Sequence, residues 1–132
     1  EERALKLLDL VGLTDKKDQH PSRLSGGQQQ RVAIARAIST SPKLIITDEA
    51  VASLDMSIRA EILKLLKKIN FETNVTMIMI SHDLSILKNM CKRIAIMYLG
   101  EIVEIGNKNE IFNNPKHDYT KKLISATLEI PS

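Results

Sequence analysis

The sequence predicts an α/β fold: a parallel βαβαβ core, preceded by a glycine-fronted helix and followed by a hairpin and a helical tail. Three observations carry this. The apolar runs Leu44–Thr47 and Val75–Ile80 lack alternation and are rich in β-branched residues, as in strands buried on both faces. Between them Ile58, Ile62, Leu65, Leu66 and Ile69 form a stripe at helical spacing. Each run then ends in polar residues, Asp48-Glu49 and Ser81-His82-Asp83, and ligands of α/β sheets bind at the carboxyl ends of strands. The order strand-helix-strand-helix-strand implies right-handed crossovers and a parallel sheet.

The elements follow in order. Residues 2–12 read as a helix with Leu5, Leu7, Leu8 and Val11 apolar and Gly12 as the stop. Residues 14–23 are polar, contain His20 and Pro21, and form a connector. Ser25 and Gln28 have the spacing of a capping box, so a helix starts at Gly26 and runs to about Ser39. Val32, Ala35 and Ile38 face its core side; Arg31 and Arg36 fall elsewhere on its surface. Pro42 leads into the first strand. The striped helix covers residues 57–69, and Asn70–Asn74 is the turn into the second strand. Met77 and Met79 read as core. Residues 84–91 form a short helix with Leu84, Leu87 and Cys91 inward, and Arg93–Leu99 a third strand. Gly100 turns the chain into Glu101–Ile105, which alternates like an exposed hairpin strand. Gly106 and residues 107–112 give a loop and short helix, Asn113-Asn114-Pro115 breaks it, and residues 118–127 form the last helix.

Composition narrows the function. The chain has 132 residues, enough for one small domain but not two. Aromatic residues make up 3%, which leaves no base-stacking platform. The net charge of +3 comes from scattered lysines and arginines, so no nucleic-acid patch is expected. Cys91 is the single cysteine, which excludes a disulfide framework and a cysteine metal site. No apolar run spans a membrane and no segment resembles a signal peptide, so a soluble, cytoplasmic protein is expected.

The glycine-fronted helix carries the chemistry. Its first N–H groups have no partner inside the helix, and the helix dipole adds positive charge there. Gly26 and Gly27 let an anion come close to them. Alone, Ser-Gly-Gly reads equally as a flexible turn, Asp48-Glu49 as the start of a helix, Asp55 as an N-cap and His82 as a structural histidine. The uninterrupted Leu24-Ser25-Gly26-Gly27-Gln28-Gln29-Gln30-Arg31 is far more specific.

That stretch resembles the signature of ABC-type ATPases, and the rest of the chain resembles the same family in the same order. Leu44–Glu49 looks like the Walker B strand, Ser53-Leu54-Asp55 like the D-loop, and His82 like the switch histidine. The resemblance implies a partial P-loop NTPase-like, three-layer domain that binds ATP and magnesium. Asp48 would be the magnesium-side carboxylate, acting through a bound water, and Glu49 the general base for the attacking water. Ser25, Gly26, Gly27 and Gln28 would face the ATP held by an opposite subunit, and Asp55 would lie at the contact between the two. Ala50-Val51 stands where the commonest pattern has Pro-Thr, a replacement familiar in the oligopeptide, dipeptide and nickel importer branch. The tail supports that branch: Pro115-Lys116-His117-Asp118-Tyr119-Thr120 resembles its Pro-x-His-x-Tyr-Thr stretch.

The implied division is 1–40 as the end of a helical subdomain with the signature helix, 41–106 as the core, and 107–132 as a helical extension. No G-x-x-x-x-G-K-[ST] is present, so the chain resembles the second half of an ATPase domain and is expected to be inactive alone. The partners implied are a second ATPase subunit, in a homo- or heterodimer, and transmembrane permease subunits at the cytoplasmic face of the cell membrane, with no nucleic acid. Two alternatives stay open: a non-transport ABC ATPase, and a truncated module that only binds a permease.

Overall fold

The structure, a computed structural model, describes residues 2–13 and 25–129. The expected connector with His20 and Pro21 lies outside the described residues. The chain divides into two compact units, Glu1–Ile80 and Ser81–Ser132.

The first unit begins with α1 (Glu2–Leu10). The side chains of Leu5 and Leu8 lie outside the described set, and Val11 just past the helix is fully buried. Gly12 stops the helix in the left-handed conformation (φ +77°), with its N–H donating to the Asp9 carbonyl at 3.1 Å. Helix α2 (Gly26–Ile38) buries Gly27, Ile34, Ala35 and Ile38. Val32 is only half-buried, so Ile34 takes the place expected for it. Arg3 of α1 donates to the Ser39 carbonyl and to Ser41 Oγ (2.9 Å), which fastens the start of α1 to the end of α2.

Strand β1 (Leu44–Asp48) pairs in parallel with β2 (Thr76–Ile80), from Leu44 opposite Thr76 to Asp48 opposite Ile80. Helix α3 (Met56–Thr73) makes the crossover and buries Ile62, Leu65, Leu66 and Ile69; Ile58 is half-buried. The helix runs through the residues expected to form the turn. A single left-handed residue, Asn74 (φ 55°), reverses the chain, and Asn70 Nδ2 donates to the Val75 carbonyl at 2.6 Å. Asn70, Thr73 and Asn74 look turn-like by composition, yet one αL cap suffices.

The two strands are not buried on both faces. Ile45 and Thr47 are covered, while Leu44, Ile46, Ile78 and Ile80 remain between 46% and 59% exposed. Alternation is absent from the sequence, but among the described residues only one side of the pair is covered.

In the second unit Asp83 caps α4 (Leu84–Met90), accepting from the Ser85 N–H at 3.0 Å. Leu84, Ile86 and Leu87 are buried; Cys91 is only half-buried, against the expectation. Burial pushes its thiol up, and the nearby Lys108 charge opposes this in part. A thiol held above its ordinary value is protonated at neutral pH, which fits a packing role.

Strand β3 (Arg93–Tyr98) does not join the parallel pair. It pairs antiparallel with β4 (Glu101–Asn107) as a separate two-stranded sheet, with an irregularity between Ile96 and Met97. Leu99 (φ 50°) and Gly100 (φ 82°) are both left-handed, the geometry of a tight type I′ hairpin turn. A two-residue loop closes at little entropic cost, and its twist matches the strands it joins. Strand β4 runs two residues further than expected and absorbs Gly106, where a Cβ would stand 2.9 Å from Glu110 Oε2. Helix α5 (Lys108–Asn113) is capped by Asn107 and buries Ile111; α6 (Asp118–Glu129) buries Thr120 and Ile124.

Glu104 joins β4 to the start of α6. Its carboxylate accepts from the backbone N–H groups of Lys116 (3.1 Å) and His117 (2.8 Å). Partial burial pushes its pKa up, but those two N–H donors and the Lys116 charge outweigh it and hold the carboxyl below its usual value of 4.5. A depressed carboxylate contributes stability that is present above the unfolded pKa and lost as pH falls through the folded one. The contact between Glu104 and the Lys116 and His117 N–H groups is therefore expected to weaken as pH drops below about 4.5. Glu104→Gln should flatten that dependence, as read by amide exchange at Lys116 and His117 against pH.

Candidate nucleotide site

The start of α2 has the capping box read from the sequence. Ser25 Oγ accepts from the Gln28 N–H at 3.2 Å, and Gln28 Oε1 accepts from the Ser25 N–H at 3.0 Å. Such a cap stabilises a helix start by about 1 kcal/mol. The two glycines differ in role. Gly26 is exposed, and an added Cβ would make an ordinary 3.4 Å contact with Leu54 Cδ2. Gly27 is buried, and a Cβ there would come within 2.5 Å of Ile58 Cγ2. Gly26 thus leaves open approach to the helix start, while Gly27 lets α2 lie against α3. The same contacts bring the start of α2 beside the segment that carries Asp55.

Asp55 sits at the N-cap position of α3 in extended conformation, but its side chain makes no cap hydrogen bond. Its carbonyl instead accepts from the Arg59 N–H at 2.7 Å. Arg59 turns back so that Nη2 lies 3.4 Å from the carbonyls of Ala52 and Leu54. Two turn hydrogen bonds, Ala52 N–H to the Glu49 carbonyl and Leu54 N–H to the Val51 carbonyl, shape the intervening residues.

Asp48 ends β1 with its side chain exposed. Glu49 follows in the left-handed region (φ 53°), and its N–H donates to the Ile80 carbonyl at 2.9 Å. That conformation costs a non-glycine residue on the order of 1 kcal/mol and persists only where surrounding contacts impose it. It turns Glu49 out of the line of the strand immediately after Asp48. A pocket of about 170 Å³ runs between α2 and the end of β1, lined by Gln30, Ala33, Ala37, Thr47, Asp48 and Ala50 among others. The first unit therefore brings together Ser25–Gln28 with Asp55, and borders Asp48 with the flank of α2. His82 heads the second unit, exposed, two residues after the strand that pairs with β1.

Among the described residues no group of three or more acidic, histidine or cysteine side chains could hold a metal. Asp48 nonetheless fits magnesium: it is a hard oxygen donor at an exposed strand end, and magnesium bound with a nucleotide takes one or two carboxylates, waters and phosphate oxygens.

Residues 1–52 match the family model described as ABC transporter. The chain is a portion of an ABC transporter ATP-binding domain. Solved members agree along nearly its whole length. An ATP-binding cassette of an ABC transporter in its ADP conformation superposes with a TM-score of 0.79 at 26% identity, over 98% of this chain and 50% of that one. The cbiO1 protein of Clostridium perfringens, part of the ABC transporter complex cbiONQ, gives 0.79 at 32% identity over the same shares, 98% and 50%. Residues 103–132 match a second model, the C-terminal region of oligopeptide/dipeptide transporters. Among curated relatives, the methionine import ATP-binding protein MetN 1 of Staphylococcus aureus is 45% identical over 97% of this chain. Its counterpart MetN in Mannheimia succiniciproducens is 46% identical over the same share. The chain spans 38% and 37% of those two relatives.

Arg31, expected on the surface, is instead largely covered, and its guanidinium donates to the Val11 carbonyl just past α1.

Proposed function

We propose that this chain is the catalytic-carboxylate and signature portion of an ATP-hydrolysing subunit of an ABC importer. The observation that carries the proposal is the Asp48-Glu49 pair, with Glu49 held left-handed at the end of β1, in the same unit as a capped, glycine-lined helix start. Magnesium, bound with the nucleotide, supplies charge stabilisation on the transferring phosphoryl group. Asp48 would hold the magnesium that accompanies the nucleotide, Glu49 would take a proton from the attacking water, and His82 would contact the terminal phosphate. Ser25, Gly26, Gly27 and Gln28 receive the ATP held by a second subunit, with Asp55 at the seam. Closure of the two subunits drives transmembrane permease partners from the cytoplasmic face. No described helix is long and apolar enough to cross a membrane, which suits a subunit docked on such partners.

The sequence has no phosphate-cradling G-x-x-x-x-G-K-[ST], so the chain alone should not hold ATP efficiently. The solute favoured by residues 103–132 is a peptide, with nickel as the other member of that importer branch. A second reading, methionine, is favoured by the names of the relatives. The test is magnesium-ATP calorimetry on this chain and on the complete subunit, followed by uptake of labelled peptide, nickel and methionine by the whole transporter. Binding by the complete subunit only, with ATP-dependent uptake, is expected. Tight binding by this chain alone would overturn the division of the site, and absence of ATP-dependent uptake would overturn the importer.

A further inference from the structure

We infer that Arg31 is a positioning residue that fixes the nucleotide-facing start of α2 by tying it to α1 and α3. Its Nη1 donates to the Val11 carbonyl at 2.7 Å, and its Nη2 lies 3.7 Å from Glu61 Oε2. The Arg31 side chain is 23% exposed, against 66% for Glu61. The Val11 carbonyl belongs to the end of α1, where terminal carbonyls lack intrahelical partners and carry the negative pole of the helix dipole. A guanidinium there both satisfies the acceptor and balances the pole. Val11 itself is fully buried, so its carbonyl is a fixed point.

The geometry makes this more than a surface contact. Arg31 stands one turn after Gln28, on the helix whose first N–H groups define the proposed anion site. At that helix start Gly27 rests on Ile58 of α3, and at the far end Ser39 and Ser41 are held by Arg3. Arg31 supplies the third point. With all three, α2 can neither slide along nor rotate against its neighbours, and Ser25–Gln28 keep their aim. The Glu61 pair is exposed and screened and contributes little by itself. The planar fork of arginine can address both Val11 and Glu61, whereas a lysine ammonium is a point donor.

This inference rests on the reading that Ser25–Gln28 meet nucleotide held by an opposite subunit. The test uses the complete subunit in a Glu49→Gln background, so that ATP-driven association is seen without turnover. Arg31→Ala, Arg31→Lys and Glu61→Gln are compared by fluorescent-nucleotide binding to the single subunit and by sedimentation of the associated pair. Arg31→Ala should weaken association by roughly tenfold or more while single-subunit nucleotide affinity stays within about twofold. Arg31→Lys should recover part of the loss, and Glu61→Gln should change little. A parent that does not associate with ATP would overturn the functional reading itself. A parent that associates, with Arg31→Ala equally tight, would overturn the role of Arg31 alone. Should Arg31→Ala fail to fold, Arg31→Lys decides: equal loss of nucleotide affinity and association would make Arg31 a general folding residue and end the inference.

Discussion

Glu49→Gln in the complete subunit should lower ATP turnover by roughly 10²–10⁴-fold while ATP still draws two subunits together. Glutamine keeps the shape of glutamate and can remain in the same left-handed position (φ 53°), since that conformation is imposed by the backbone hydrogen bond to Ile80 and by the turn that follows. What it loses is the ability to take a proton from water. Interactions that act only in the transition state affect turnover and leave ground-state binding in place. Phosphate release and light scattering on one preparation separate the two effects. Turnover at the wild-type rate would remove Glu49 as the base.

Gly27→Ala should be the most damaging small change in α2, at about 1–3 kcal/mol of overpacking. The new Cβ would meet Ile58 Cγ2 at 2.5 Å, too close for a branched side chain anchored in a helix to yield without moving its backbone. Improved helix propensity, at most about 1 kcal/mol, offsets only part of this. Ile58→Ala removes the obstructing methyl, so the double variant should be more stable than the sum of the single changes predicts. Gly26→Ala is the contrast: its Cβ finds an ordinary 3.4 Å contact, so the fold should hold while ATP-driven association weakens. Thermal unfolding of the four variants, with sedimentation in the presence of ATP, checks all of these outcomes. Equal stability of the Gly27→Ala and Gly26→Ala proteins would mean that α2 does not depend on close approach at Gly27.

The capping box of Ser25 and Gln28 was legible because its partners lie three residues apart. The same locality made α3, the parallel pairing of β1 with β2 and the hairpin strand β4 readable from periodicity and turn residues. Strand-helix-strand order also pointed β3 to the parallel pair, whereas β3 bonds to β4, the hairpin partner that Gly100 announces. The extent of α3 was misjudged because a polar end looks like a turn until one residue is seen to do the turning.

What the sequence determined by itself is the residue types and their order: a capped glycine helix, a strand ending in two carboxylates, an aspartate after the turn, and a histidine after the next strand. These depend on residue type and short spacing, which one-dimensional information holds. Only the tertiary structure decided that Gly27 faces Ile58 while Gly26 stays open, that Asp55 occupies a cap position without making the cap hydrogen bond, and that Arg31 reaches back twenty residues to Val11. Those outcomes turn on distances between elements far apart in the chain. No local pattern encodes such distances, because they are set by how closely the helices pack.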